Sequence, residues 1–600
     1  MGVRIGQGLV LGVIMTAVAA ALLLVPAACL AAGGSLAPAD PAFLRYLDHP
    51  GPARHLGLVP APVSSAGVPR VRLAPITARY PDSFVTAGAS AAATSVAGAA
   101  PATFDLRSAG RLSLVRDQGR WGTCWAFAAL AALESSQLPT VANDYSENNL
   151  ANRSGFALGY DGGGNSFMAA AYLLRWDGPV AEADDPYAPG ATTPNASPAD
   201  ATVRAHVHEV LDLPARRSSS DNADLKWAVM TYGAVYATMF WSPSAYRDAT
   251  DAYYYAGTGA NHAVDVVGWD DSFPASRFAT TPAGPGAFLV RNSWGTGFGS
   301  DGYFWVSYYD VAFGRQSAVF TGAEAAASDE RIYQHDPLGW VASYRPPGAA
   351  DPTRAWFAAA YTATEDGALT AAGFYATAPD ATYEVRVAES VAAIRDAPVA
   401  ASGTLAATGY HTVALDAPHA VTAGQSFVIA VKVTTPGYSF PVAVERPCAG
   451  YADATAAAGQ SFVSGDGASW TDMTALMAGT DVCLKGYGVT APEPAEAPTP
   501  APDPAATPTA EPTGVPTPAP TVAPTPAPPV APAVSVRRGS AGAGSSARVV
   551  FRLSGPDAAV TADVRFTLQT RRGKVLRRRS LRDVDVTTSH AWRVRAPSRR

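Results

Sequence analysis

Gln118-Gly-Arg-Trp-Gly-Thr-Cys124-Trp-Ala-Phe-Ala128 reads as a glycine-broken loop that runs into an Ala/Leu/Phe-rich helix, with one cysteine at the junction. A thiol at a helix start faces unpaired backbone N–H groups and the positive end of the helix dipole, which favour thiolate over thiol. Such a thiolate is a nucleophile if a base, an orienting group and oxyanion donors lie elsewhere in the chain. Apolar and small residues continue at helical spacing to about Gln137, and Pro139 stops the helix.

Downstream, Tyr145-Ser-Glu-Asn-Asn-Leu150 starts a second helix, with Ser146 or Asn143 able to cap it. Asp161-Gly-Gly-Gly164-Asn is a loop whose backbone can approach a ligand closely, and Phe167 to Trp176 is another apolar helix. From about residue 230 the texture changes to strands: Ala234–Phe240, Ala263–Trp269, Ala287–Arg291 and Tyr303–Tyr308. A helical half followed by a strand half predicts a two-lobed α+β domain over 101–325, with a site in the cleft between lobes. His262 opens one of these strands and Asn292 leaves the next, so adjacent strands can place imidazole and amide side by side. Gln118, six residues before Cys124, can fold back to aim its NH2 above the thiol, with the Cys124 N–H as second oxyanion donor.

With these parts in order, the region resembles the papain-like cysteine peptidases. The likeness covers about 101 to 320 and is carried by Asp105-Leu-Arg107, Asp117-Gln118-Gly119, Gly122-Thr-Cys124-Trp-Ala-Phe127, the Gly163–Gly164 pair, His262-Ala-Val and Asn292-Ser-Trp-Gly295. The resemblance implies Cys124 as nucleophile, His262 as general base and acid, Asn292 as orienting group and Gln118 as oxyanion donor. It further implies that Trp294 shields the His–Asn contact, that Gly163 and Gly164 meet an extended peptide, and that Ala263 walls the pocket. Three positions depart from the family pattern. Trp121 stands where a disulfide cysteine is common, Phe298 replaces a tryptophan, and the segment before 101 lacks a long amphipathic helix.

Residues 326–490 break into short strands, among them Gly373–Ala376, Tyr383–Val387, His411–Leu415 and Ser426–Val433, as in an all-β sandwich. Ile332–Trp340, Gly409–Val413 and Ser461–Trp470 are similar to the lectin-like domain that follows such peptidases in secreted bacterial and archaeal proteins. That likeness implies a cell-surface glycan partner, although no residue cluster demands one. Cys448 and Cys483 lie here and are expected to form a disulfide closing about 35 residues, worth ~3 kcal/mol. His206 and His208 alternate as on a strand and read as a solvated face, not a metal site.

The remainder sets the address. Residues 1–32 carry Arg4, an apolar run from Leu9 to Leu24 and small residues after Pro26, as in a secretory signal peptide, with an uncleaved anchor as the alternative. Residues 33–100 show no sustained period and read as a pro-segment or linker. Residues 491–533 form a Pro/Thr/Ala-rich linker, and 534–600 a basic, strand-rich Ig-like region that is expected to continue past the Pro-Ser-Arg-Arg end. A net charge of −6 across 600 residues names no nucleic-acid partner, and no cofactor or metal is expected. The expected function is a secreted or cell-surface cysteine endopeptidase that hydrolyses protein or peptide substrates through a thioester acyl-enzyme. The alternatives are a non-catalytic adhesion or carbohydrate-binding protein on the same fold, and transpeptidase-type acyl transfer.

Overall fold

The computed structural model describes residues 34–48, 56–65, 67–70 and 100–491, and five strands between 533 and 595. The expected signal peptide and nearly all of the Pro/Thr/Ala block lie outside the described residues. The chain divides into two units, Met1–Ala495 and Glu496–Arg600.

Within the first unit, helix Cys124–Gln137 is apolar on nearly every face and is therefore enclosed, with Trp125, Leu130 and Leu133 all buried. Helices Glu147–Arg153 and Ser166–Leu174 pack beside it. Ser146 Oγ caps the first of these on the Asn149 N–H at 2.9 Å, and Asn165 Oδ1 caps the second on the N–H groups of Phe167 and Met168. Strands Val235–Met239, His262–Asp270, Ala287–Arg291 and Tyr303–Ser307 form the facing antiparallel ladder, which is the expected α+β arrangement.

This ladder does not end with the helix-bearing half. Strand Ala205–Asp212 pairs with Ser317–Ala325 on one side and with Thr408–Val421 on the other. Among the described residues, one thirteen-stranded sheet thus passes from the first half into the strand-rich half. At the seam Gly409 stands opposite Leu211 at a φ of 130°, and a Cβ there would overlap the Val210 carbonyl. Only glycine permits that approach. A six-stranded sheet, including Ala381–Ala388, Ser426–Thr434 and Arg354–Thr362, covers the far end of the large sheet. Phe357, Ile429 and Val431 from one sheet and Leu369, Phe374 and Leu484 from the other close a sandwich core.

Three expectations need correction. First, residues 34–48 are structured. Ser35–Leu36 pairs with Ala342–Arg345, and helix Pro41–Asp48 buries Phe43 against Tyr451 at 5.0 Å, so tertiary partners supply what local periodicity lacked. Second, His206 and His208 are buried, not solvated. His206 stacks on Trp176 at 3.8 Å and meets Glu330 at 2.5 Å, because the added sandwich strands cover this face. Third, Cys448 and Cys483 are free thiols, so the expected disulfide is not formed. Each is fixed by its own backbone bonds, Cys448 in a turn with Ala452 and Cys483 to Ala443, and both pack as small apolar side chains in the helix-side core.

In the second unit, Ser546–Ser554 pairs with Ala533–Arg537 and Ser589–Arg595, and Thr561–Gln569 pairs with Val575–Asp585.

Replacing Gly409 by Val should strain the seam and lower stability by ~1–3 kcal/mol, read as a reduced midpoint in denaturant unfolding.

Candidate active site

Cys124 is the first residue of its helix and is wholly buried. Its Sγ accepts the Ala263 N–H at 3.4 Å, and the N–H groups of Cys124 and Trp125 also face it. These donors and the helix start favour thiolate, by ~2 kcal/mol at best for the dipole. Burial opposes them and pushes the thiol up to about 12, a penalty of about 4 kcal/mol relative to its ordinary value. Burial is the larger effect and favours the neutral thiol in this covered state, opposing the pull of the helix start.

His262 opens strand His262–Asp270, and Asn292 follows strand Ala287–Arg291 directly. Antiparallel register, with Asp265 opposite Arg291, brings His262 Nε2 to 2.8 Å from Asn292 Oδ1. The Ser293 N–H donates to the same oxygen at 2.9 Å, which sets the oxygen end of the carboxamide toward the imidazole. Nε2 then carries the proton, and in the neutral ring Nδ1 keeps its lone pair. Burial holds His262 down to about 4, with the Asn292 hydrogen bond opposing. Trp294 stacks on the imidazole at 5.0 Å, and Trp241 and Phe298 pack edge-on against it. The His–Asn contact is thereby screened from water.

Gln118 is buried, with its N–H bonded to the Ser293 carbonyl and its Oε1 accepting from Ser293 Oγ at 2.7 Å. Its Nε2 donates to the Trp121 carbonyl at 2.7 Å and to the Leu56 carbonyl at 3.3 Å. Trp121 packs edge-on to Tyr160, and Tyr187 binds both Thr123 and the Gln118 carbonyl. Aromatic packing thus holds the loop where the family pattern has a cystine. Ser293 is a partner that the sequence reading missed, although it sits inside the Asn-Ser-Trp-Gly motif.

Residues 56–59, also missed, lie across this site. The Val59 N–H donates to the Gly164 carbonyl and the Gly164 N–H to the Gly57 carbonyl, both at 2.9 Å. Gly57, at φ 90°, packs so closely on Gly122 that a Cβ would overlap its carbonyl. Gly164 lies against the Trp125 indole, and Gly163 adopts a φ of 85° that favours glycine. Ala263 is fully buried and meets the thiol through its backbone. Cys124, His262, Asn292, Gln118, Trp294, Gly163, Gly164 and Ala263 are therefore gathered in one place; Cys448 and Cys483 belong to the strand-rich half. Among the described residues, no group of three or more His, Cys, Asp or Glu side chains could hold a metal ion.

Comparison with known proteins agrees with this picture. Residues 100–322 match the model of the papain family cysteine proteases, and residues 332–488 match that of the lectin-like domain. A cysteine protease of Blomia tropicalis is 32% identical over 221 residues, covering 35% of this chain and 62% of that protein. The cathepsin L-like peptidase of Aedes aegypti is 31% identical over 209 residues, 34% of this chain and 58% of that protein. The chain thus spans about three-fifths of the length of these relatives. The solved cysteine protease and lectin-like domains of Cwp84, a surface layer associated protein of Clostridium difficile, share the fold with a TM-score of 0.62 at 23% identity. That match covers 76% of this chain and 99% of the other.

With segment 56–59 seated, Cys124 should react with iodoacetamide at pH 7.5 roughly 10³-fold more slowly than free cysteine, measured by mass-labelling time course.

Proposed function

We propose that this chain, which carries a papain-family cysteine protease domain followed by a lectin-like domain, is a secreted cysteine endopeptidase made as a latent precursor. The observation that carries the reading is the His262 Nε2 to Asn292 Oδ1 contact of 2.8 Å beside the thiol of Cys124. Cys124 attacks the substrate carbonyl as thiolate, with His262 as its imidazolium partner. Gln118 Nε2 and the Cys124 N–H take the oxyanion. His262 then donates its proton to the leaving amine, and water attacks the thioester with His262 as base. Asn292 keeps the imidazole oriented through both half-reactions, and Trp294 keeps water from competing for it.

Latency follows from segment 56–59. It holds the backbone donor and acceptor of Gly164, and the Leu56 carbonyl lies on the Gln118 amide that the oxyanion needs. In the covered pair burial pushes the Cys124 thiol up and the His262 imidazole down, so it disfavours both charges of the ion pair. Departure of the segment re-admits water and a peptide, and lets the ion pair form. The signal-like start of the chain supports export, and the lectin-like half supports retention near a cell-surface glycan.

Cys124→Ala should abolish cleavage of a peptide library by the processed protein, scored by mass spectrometry; persisting cleavage in that variant would sink the assignment. Gln118→Ala should lower kcat by roughly 10²-fold with KM little changed, as expected when one oxyanion donor is lost. Added amine nucleophiles should leave product masses unchanged, whereas mass-shifted products would make the chain an acyl transferase. Gly57→Val, whose side chain overlaps the Gly122 carbonyl, should loosen the segment and raise the Cys124 labelling rate of the precursor at least tenfold.

A further inference from the structure

Residues 534–600 hold fifteen arginines and one lysine against four aspartates, a net charge of +12. Residues 1–533 carry 28 basic and 46 acidic side chains, a net charge of −18. The mild whole-chain value of −6 therefore conceals a basic region that follows an acidic one across the Pro/Thr/Ala-rich stretch 491–533. Even with each aspartate paired to one cation, twelve cations of 534–600 are left without an acidic partner in that region. Unpaired arginines are not kept in apolar interiors, so this excess faces water or an anionic ligand.

Strand register concentrates the charge. Thr561–Gln569 and Val575–Asp585 form a two-stranded antiparallel ribbon. In it Arg565 stands opposite Ser580, Phe566 opposite Arg579, Thr567 opposite Arg578 and Leu568 opposite Arg577. Period-two alternation places Arg577 and Arg579 at positions of one face, ~7 Å apart along the strand, and Arg565 and Arg578 at positions of the other. The ribbon's acidic residues, Asp563, Asp583 and Asp585, lie toward the opposite end, where Thr561 pairs with Asp585. The half of the ribbon that ends at Gln569 and Val575 is thus cationic on both faces.

We propose that this half of the ribbon binds a flexible phosphodiester polymer of the cell envelope and so retains the chain at the cell surface. Arginine, which makes up all but one of the sixteen cations, presents a planar fork that pairs two N–H groups with two phosphate oxygens. A flat bilayer meets one face of a ribbon at a time, whereas a flexible polyanion follows both. The signal-like start of the chain supports export, away from nucleic acid. Residues 1–533, with their net charge of −18, are repelled by the same polymer, so contact is confined to the basic region. The binding surface does not depend on the peptidase reading above.

The test is binding of the full chain to immobilised poly(glycerol phosphate), followed by surface plasmon resonance. Four phosphate contacts predict that Kd rises roughly 50-fold between 50 mM and 200 mM NaCl, from the counterion release of a single-stranded polyanion. The combined variant Arg577→Glu, Arg578→Glu, Arg579→Glu should bind roughly 30-fold more weakly at 50 mM NaCl. The same charge change made as Arg548→Glu, Arg593→Glu, Arg595→Glu, in the strands Ser546–Ser554 and Ser589–Arg595, should cost less than about fivefold. Equal losses in the two variants would remove the ribbon as the site. A Kd that moves less than about threefold with salt would overturn the proposal, and this measurement on the unmodified chain decides even if a variant fails to fold. Tighter binding to single-stranded DNA or to phosphatidylglycerol vesicles than to poly(glycerol phosphate) would overturn it in favour of a nucleic acid or a membrane.

Discussion

The hydrogen bond between His262 and Asn292 crosses two neighbouring strands, and its 2.8 Å length is a consequence of their register. A slip of one residue would turn either side chain to the opposite face of the sheet. The buried Asp265–Arg291 pair sits at a matched position of the same two strands and penalises such a slip, since separating the partners would leave buried charges unpaired. Around this contact the other parts take their places. The Trp294 indole lies on the imidazole, the Ser293 N–H orients the amide, and the Ser293 hydroxyl orients Gln118. One short motif, Asn292-Ser-Trp, therefore meets the imidazole, covers it and orients the Gln118 amide together.

Reactivity is governed by a second balance, between helix start and burial. The dipole and the N–H groups at the Cys124 helix favour a thiolate, but their effect is smaller than the cost of a charge in a sealed site. Residues 56–59 lie over the Cys124 helix start and the Gly164 backbone, and the enclosure they complete disfavours a charge on the sulfur. The covering segment occupies both the N–H and the carbonyl of Gly164 through Gly57 and Val59.

The lectin-like half is more than an appended module. Its Thr408–Val421 strand continues the sheet of the helix-bearing half through Asp212, Leu211 and Val210, and the Ala342–Arg345 strand receives Ser35–Leu36. Phe43 then docks against Tyr451. The N-terminal segment is consequently moored to the strand-rich half before it reaches the cleft. Backbone ladders and a shared apolar core make the two halves one structural unit.

Much of the site was legible from local sequence. Cys124 before an apolar helix, His262 at a strand entrance, Asn292 at the next exit and Gln118 in the preceding loop are readable because each role needs a particular residue type at a particular element boundary. Strand alternation and turn residues likewise marked the sandwich, since period-two burial is a local property. What local patterning could not supply was long-range partnership. Nothing near Leu56–Val59 signals that its carbonyls and N–H groups will meet Gly164 and Gln118. Nothing near His206 signals that Trp176 and Glu330 will cover it. The free thiols of Cys448 and Cys483 make the same point, since composition suggested a bond that the backbone around each cysteine does not form. The sequence by itself determined which side chains can perform the chemistry, because chemical capacity resides in residue type and spacing. Only the tertiary structure decided whether that chemistry is accessible, because burial and pairing depend on residues far apart in the chain.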